Sequence, residues 1–280
     1  MRPKLVDFLN QIFGTNIFSW LVSSSAFIHA LMMFVCIFVI YRRSRSKKLS
    51  QYHALGGSVW AMIGGLLGAR IFYLLIHIEQ LIAKPGIIFD ITGGTASWGV
   101  YIGGCLAFLL YFNNKKEPFY PYADLLVSFL GLGPFIGRWS CFLNGCCFGE
   151  VAMVPWAVAF PRSSSAFHTH VQLGLLDPGA SCSLPVHPLQ LYLSLNGLIL
   201  FLIFTWLWNH KKFPPGILFW LYWATYGFTR FFLEFFRDEN ITESIGVFSL
   251  PQLMTILLFI CSVAAIIILV SKQRPFDLST

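Results

Sequence analysis

Seven apolar stretches separated by short polar ones organise this chain, at about 18–41, 54–80, 97–112, 120–143, 188–209, 216–236 and 249–271. An α-helix rises ~1.5 Å per residue, so about 20 apolar residues cross the ~30 Å hydrocarbon core of a bilayer. The 97–112 stretch is the shortest and is rich in glycine. The pattern predicts an all-α polytopic membrane protein with seven transmembrane helices. Residues 1–280 are expected to form a single integral membrane domain, with no soluble domain. Composition agrees: 56% of residues are hydrophobic, 11% are charged, and the mean hydropathy is +0.69. These values exclude an ordinary soluble domain, and no nucleic-acid partner is expected.

The net charge of +7 matters less than where the charges fall. Arg42, Arg43, Arg45, Lys47 and Lys48 follow the first stretch, and Lys115 and Lys116 follow the third. Lys211 and Lys212 follow the fifth, and Lys272 and Arg274 the seventh. The intervening segments near 81–96, 144–187 and 237–248 carry almost no Lys or Arg. By the positive-inside rule the N-terminus is outside and the C-terminus cytoplasmic, with only Arg2 and Lys4 mildly opposed. A signal peptide does not fit, because the first apolar run is long and lacks a small-residue cleavage site.

The longest connection is then an outer loop at about 144–187. It holds a strand-like run from Trp156 to Pro161, a Ser163-Ser164-Ser165 stretch, His168 and His170. It is the natural lid or acceptor-recognition element. Cys36, Cys105 and Cys261 fall inside helices, where they serve as packing residues. A disulfide from Cys182 to Cys146 or Cys147 remains open. The spacing of Cys141, Cys146 and Cys147 does not fit a zinc site, so no metal is expected, and no cofactor either.

Candidate chemistry comes from ions placed in apolar helices. A cation there is costly and by default marks a functional site. Arg230, Glu234 and Arg237 fall at i, i+4 and i+7, which puts them on one helical face with a summed charge of +1. Adding Arg70 and Arg138 gives about +3, an excess that asks for an anion; the planar guanidinium suits phosphate. Arg70 lies in Gly68-Ala69-Arg70-Ile71-Phe72-Tyr73, behind the small residues Gly64 and Gly65. A snorkelling arginine on a packing face is the competing reading there, and an interface anchor is the competing reading for Arg138. Gly99, Tyr101 and Gly103 open the third helix, where exposed N–H groups favour an anion, although glycines also serve close packing. Asn144, Gly145 and Gly149 close the fourth helix at the outer boundary. Gln190 and Tyr192 sit at the start of the fifth, with Pro188 expected at its first helical position. Asp124 is expected to cap the first turn of helix four.

Taken in order, these segments resemble the bacterial prolipoprotein diacylglyceryl transferases over nearly the whole chain. The match runs through Gly68-x-Arg70-x-x-Tyr73, the glycines at 99–104, Asp124-Leu125-Leu126, Gly137-Arg138 and Asn144-Gly145. It continues through Trp156 to Pro161, His187-Pro188-x-Gln190-Leu191-Tyr192, Arg230 to Arg237, and Ser249-x-x-Gln252-Leu253. The resemblance implies a multi-pass enzyme of the bacterial inner membrane, surrounded by membrane lipids. Its substrates would be phosphatidylglycerol and a secreted prolipoprotein. The diacylglyceryl group would move to the lipobox cysteine thiol as a thioether, releasing glycerol phosphate. By similarity, Arg138 and Arg230 take the phosphoglycerol head group as catalytic residues. Arg70, Glu234 and Arg237 support them, Asn144, Gly145 and Gly149 line the outer entrance, and Tyr73 and Tyr101 offer hydrogen bonds. Trp98 stands where typical members carry a histidine, Val100 replaces a glycine, and Cys141 replaces an asparagine. An electropositive cavity would then supply thiolate without a base. Two alternatives follow: a non-catalytic lipid-binding or lipid-transport protein on the same scaffold, and a related transferase with another acceptor.

Overall fold

The computed structural model describes residues 25–89, 94, 96–238, 244–245 and 248–273. Among these the regular structure is helical apart from one hairpin and some isolated bridges. The helices are α1 (Ser25–Ser46), α2 (Gln51–Ile76), α3 (Ile78–Ala83), α4 (Ser97–Lys115), α5 (Phe119–Leu130) and α6 (Leu132–Asn144). They continue as α7 (Ser165–Gln172), α8 (Leu189–His210), α9 (Ile217–Glu234) and α10 (Leu250–Gln273). A short antiparallel pair, β1 (Ser244–Ile245) and β2 (Phe248–Ser249), precedes α10.

Helices α1, α2, α8 and α10 are each long and apolar enough to cross a membrane, and α5 with α6 make a fifth span if the broken pair counts as one. Their outer faces suit lipid: Phe34 is 70% exposed, Leu66 73% and Leu202 56%. The protein is therefore multi-pass. The 97–112 and 216–236 stretches do form helices, α4 and α9. Their tyrosines, tryptophans and glycines keep them below the hydropathy of a self-evident span. The beginning of the first stretch, residues 18–24, lies outside the described residues, as does Arg274.

The fourth stretch is two helices, not one. Pro134 has no N–H, and its ring collides with a carbonyl four residues earlier, which is Leu130, the last residue of α5. The chain restarts at Leu132, with the Phe135 N–H returning to the Gly131 carbonyl at 3.1 Å. Asp124 accordingly lies mid-helix and buried, not at a first turn, because α5 already begins at Phe119. Pro188 is the residue before α8 rather than its first.

The described residues fall into two compact units, 37–126 and the combination of 1–36 with 127–280. In the first, α2 and α4 cross with their backbones in direct approach. A Cβ on Gly103 would stand 2.8 Å from the Gly68 Cα, and Gly64 and Gly99 extend the same seam. In lipid, where no hydrophobic force drives helices together, such close van der Waals contact holds the pair. Below the seam Phe112 stacks on Tyr122 at 4.5 Å, fully buried. In the second unit α8 crosses α6 at another glycine pair. A Cβ on Gly197 would lie 2.8 Å from both the Gly131 carbonyl oxygen and the Phe135 nitrogen. The Ser194 hydroxyl donates to the Phe135 carbonyl at 2.7 Å. Helix α9 packs on α10, with Gly227 against the Thr255 carbonyl.

The segment between α6 and α8 has a core of its own: Phe142, Phe148, Phe160, Ala166 and Val186. Val158 pairs with Val186, as the strand-like run suggested. The polar stretch that follows is helix α7, capped by the Ser164 hydroxyl on the Phe167 N–H at 3.2 Å.

Candidate functional site

In the second unit the charged cluster sits where α9 ends. Arg230 and Glu234 are both buried, one turn apart. Arg230 Nη2 lies 2.5 Å from Glu234 Oε2, an ion pair whose angles do not make a hydrogen bond. Arg230 Nη1 is buried and has no hydrogen-bond partner. One face of the guanidinium is thus neutralised, and the other keeps a donor that an apolar surround cannot satisfy.

Arg237 is not on the helical face where its i+7 spacing placed it. Helix α9 stops at Glu234, and Phe235-Phe236-Arg237 turn away. From the turn Arg237 still reaches Glu234, its Nη1 donating to Oε1 at 3.3 Å. Its side chain is 32% exposed against 9% for Arg230, so only Arg230 is a buried arginine. One carboxylate therefore serves two guanidiniums.

Three chain segments meet at this corner. Gly149 bridges Arg237 antiparallel, and the Glu150 N–H donates to the Phe236 carbonyl at 3.0 Å. The Gly149 N–H donates to the His187 carbonyl at 2.9 Å, and the His187 N–H returns to the Glu150 carbonyl at 3.0 Å. A Cβ on Gly149 would come 2.8 Å from the His187 Cβ, so only glycine fits. Gly145 has a comparable reason: it ends α6 with a left-handed φ of 65°, as helix C-termini often do. Asn144 is exposed and lines a small cleft of about 80 Å³ with Phe142, Phe160 and Ser164.

The turn after α6 carries Cys146 and Cys147. Gln190, fully buried, donates from Nε2 to the Cys146 carbonyl at 2.7 Å. The Cys147 thiol is shifted towards thiolate. Hydrogen bonds from the neighbouring Cys141 and Cys146 thiols lead that shift, burial opposes it, and Arg138 and Arg237 reinforce it. Both arginines therefore act on the same sulfur. Cys182 is a free thiol and lies outside this group.

Beside the corner, Trp156 Nε1 donates to the Tyr192 hydroxyl at 2.7 Å, and the same hydroxyl lies 3.1 Å from His187 Nδ1. Phe236 stands edge-on to both rings. The sequence pointed to Tyr192, offered Cys147 only as a disulfide candidate with Cys182, and gave His187 no role. The His187-Pro188-x-Gln190 motif held the signal for His187.

In the first unit Arg70 donates to the Gly94 carbonyl at 2.9 Å and also to the Ile87 carbonyl. Its Cζ lies 5.5 Å from the Tyr73 ring centroid, and its Nε is buried without a partner. The guanidinium ties Ile87 and Gly94 to α2 instead of snorkelling. Gly99 and Gly103 sit in the α2–α4 seam. Trp98 and Tyr101 meet edge-on at 6.0 Å.

These features define a multi-pass membrane protein that presents buried and half-buried guanidiniums on its helices, two of which, Arg70 and Arg230, keep a buried nitrogen without a hydrogen-bond partner. The prolipoprotein diacylglyceryl transferase family model matches residues 15–268, and the chain belongs to that family. It is similar to phosphatidylglycerol–prolipoprotein diacylglyceryl transferases of several bacteria. With that of Clostridium tetani it is 29% identical over 239 residues, covering 85% of this chain and 86% of the relative. With that of Treponema denticola it is 32% identical over 260 residues, 77% of each chain. With that of Idiomarina loihiensis it is 32% identical over 222 residues, covering 77% of this chain and 76% of the relative.

Proposed function

We infer that this chain transfers the diacylglyceryl group of phosphatidylglycerol to the thiol of a prolipoprotein cysteine. It does so as one seven-helix domain of the bacterial inner membrane, with its N-terminus outside and its C-terminus cytoplasmic. The observation that carries this reading, beside family membership, is Arg230 Nη1: a buried cationic donor with no acceptor of its own. A phosphate oxygen satisfies it, and Glu234 holds the guanidinium in place.

The reaction forms a C–S bond and breaks the bond between the diacylglyceryl carbon and the phosphate-ester oxygen. Negative charge grows on the departing glycerol phosphate, and fixed guanidiniums from Arg138 and Arg230 stabilise it most at the transition state. The thiol proton leaves with solvent or with the phosphate. Arg237 balances Glu234 and adds to the field. Asn144, Gly145, Gly149, Gln190 and Tyr192 shape the entrance around the 144–187 loop. Arg70, Tyr73, Gly99, Tyr101 and Gly103 are assigned to substrate binding through the Arg70 contacts to Ile87 and Gly94 and the α2–α4 seam.

Trp98 takes no proton, so His187, hydrogen-bonded to Tyr192, is the imidazole we assign to assist thiol ionisation. The same tryptophan motivates the second reading, phospholipid binding without chemistry. Complementation separates the two. The full chain is expressed in a bacterium depleted of its own transferase, and lipoprotein is examined by mass spectrometry. Diacylglyceryl-modified lipoprotein is expected. Its absence, with the chain folded in the membrane and still binding phosphatidylglycerol vesicles, would leave the binding reading.

A further inference from the structure

Cys141, Cys146 and Cys147 are spaced C-x4-C-C, which on a regular helix does not gather three sulfurs. The chain gathers them by leaving the helix. Gly145 takes a φ of 65° and Cys147 a φ of 56°, two left-handed residues within three positions. For cysteine that conformation is strained and persists only where surrounding contacts fix it. The Gln190 amide on the Cys146 carbonyl and the Cys146 amide on the Cys141 carbonyl at 3.1 Å are two such contacts. All three Sγ atoms then lie within 4.8 Å of one another. In a site with metal–sulfur bonds of ~2.3 Å, sulfurs stand about 3.8 Å apart, so side-chain rotations of under about 1 Å bring these three onto one ion. Cys141 and Cys146 are half-buried and Cys147 is exposed, which leaves an open approach on one side.

We propose that Cys141, Cys146 and Cys147 form a binding site for one thiophilic d10 cation, Zn²⁺ with a water in the open fourth position or Cu⁺ in trigonal coordination. Three sulfurs and no oxygen or nitrogen ligand select soft ions over Mg²⁺ or Ca²⁺. Three thiolates carry −3, a charge that the bound cation itself offsets. Binding releases the thiol protons to water, so affinity rises with pH. Nothing in this site depends on the transferase reading. An ion there would sit beside Arg138, and occupancy would be felt by any anion the arginine holds.

The test uses the full chain, purified in detergent, reduced, stripped of metal and shown by thiol titration to be fully reduced. It is titrated with Cd²⁺ and Co²⁺ while the thiolate-to-metal charge-transfer absorption and the visible Co²⁺ bands are recorded. One equivalent is expected, with Co²⁺ bands of a sulfur-rich tetrahedral site. C141S and C147S should each bind about a hundredfold more weakly or worse, and C182S should bind as the parent does. Thermal melts and gel filtration of each variant confirm that it folds. Absence of saturable binding by the reduced parent would overturn the proposal. So would unchanged binding in the folded C141S/C146S/C147S variant, or a Cys141–Cys146 or Cys141–Cys147 disulfide in freshly isolated protein that binds no metal once reduced.

Discussion

Replacing Glu234 by Gln removes one charge and almost no volume, so it isolates what the buried carboxylate does. Glu234 is 1% exposed and Arg230 9%, at 2.5 Å, so the pair is out of water on both sides. Breaking such a pair by neutralising one partner costs about 3–5 kcal/mol, because the other charge stays buried and uncompensated. Arg237, 32% exposed and 3.3 Å away, is better solvated, and its share is below about 1 kcal/mol. Gln keeps an acceptor oxygen, which puts the expected loss near the lower end, about 3 kcal/mol. For a chain of this size that is a fall of roughly 6–12 °C in Tm. The assay is thermal unfolding of the detergent-solubilised chain, run with Arg230→Gln and the double variant. The double variant is expected to be less damaged than the two single losses added, because each single leaves an orphan that the other removes. A Glu234→Gln melt within about 1 °C of the parent, or strict additivity in the double, would refute the buried ion pair as a stabilising unit.

The remaining expectations are narrower. Arg138→Lys and Arg230→Lys should each keep only part of the transferase activity, since an ammonium cannot make the two-pronged contact of a guanidinium; full activity in both would count against a phosphate clamp. Gly103→Ala should destabilise the α2–α4 pair by about 1–3 kcal/mol, because its Cβ would stand 2.8 Å from the Gly68 Cα, whereas Gly86→Ala meets nothing within 4 Å and should be neutral; trypsin resistance in the membrane reports both. His170 is fully buried, and burial, opposed by Asp238, lowers its pKa from 6.5. The folded chain therefore refuses a proton that the unfolded chain accepts, so stability is retained above pH 6.5 and lost as pH falls below it. His170→Gln should flatten that loss in melts taken across the range. His187→Gln should slow the transferase about a hundredfold if His187 takes the thiol proton, and the deficit should shrink as rising pH ionises the thiol unaided; an unchanged pH–rate profile would remove it from that role.

What could be read from the sequence was whatever follows a regular period. The Arg230–Glu234 pair is i, i+4 on a helix, and the structure forms it. The glycines at 64 and 68 marked a close helix approach, and they make one; Gly99 and Gly103, read as an anion-binding helix start with packing as the competing reading, form its other side. The apolar stretches located every long helix, but hydropathy counts residues and does not see Pro134 cutting one stretch at Leu130. Periodicity also fails at a helix end. It carried Arg237 one turn too far, because Glu234 is the last helical residue and the Phe236 carbonyl is already taken by Glu150.

The corner that gathers Gly149, His187 and Arg237 is held by main-chain hydrogen bonds, and those have almost no side-chain signature; the tight fit at Gly149 is the single residue-level trace. The same is true of the sulfurs. Their spacing and the lack of further partners argued against a zinc site, and the two left-handed residues that bring them together are not legible in Cys-Cys. There is a physical reason for the chemistry to collect in such places. A membrane helix spends its backbone groups on itself and offers only a face, whereas a corner that satisfies its backbone across segments leaves side chains from three parts of the chain pointing at one spot. The residues easiest to read are therefore those that hold the scaffold. Those that were missed, His187 among them, lie where the helical pattern stops.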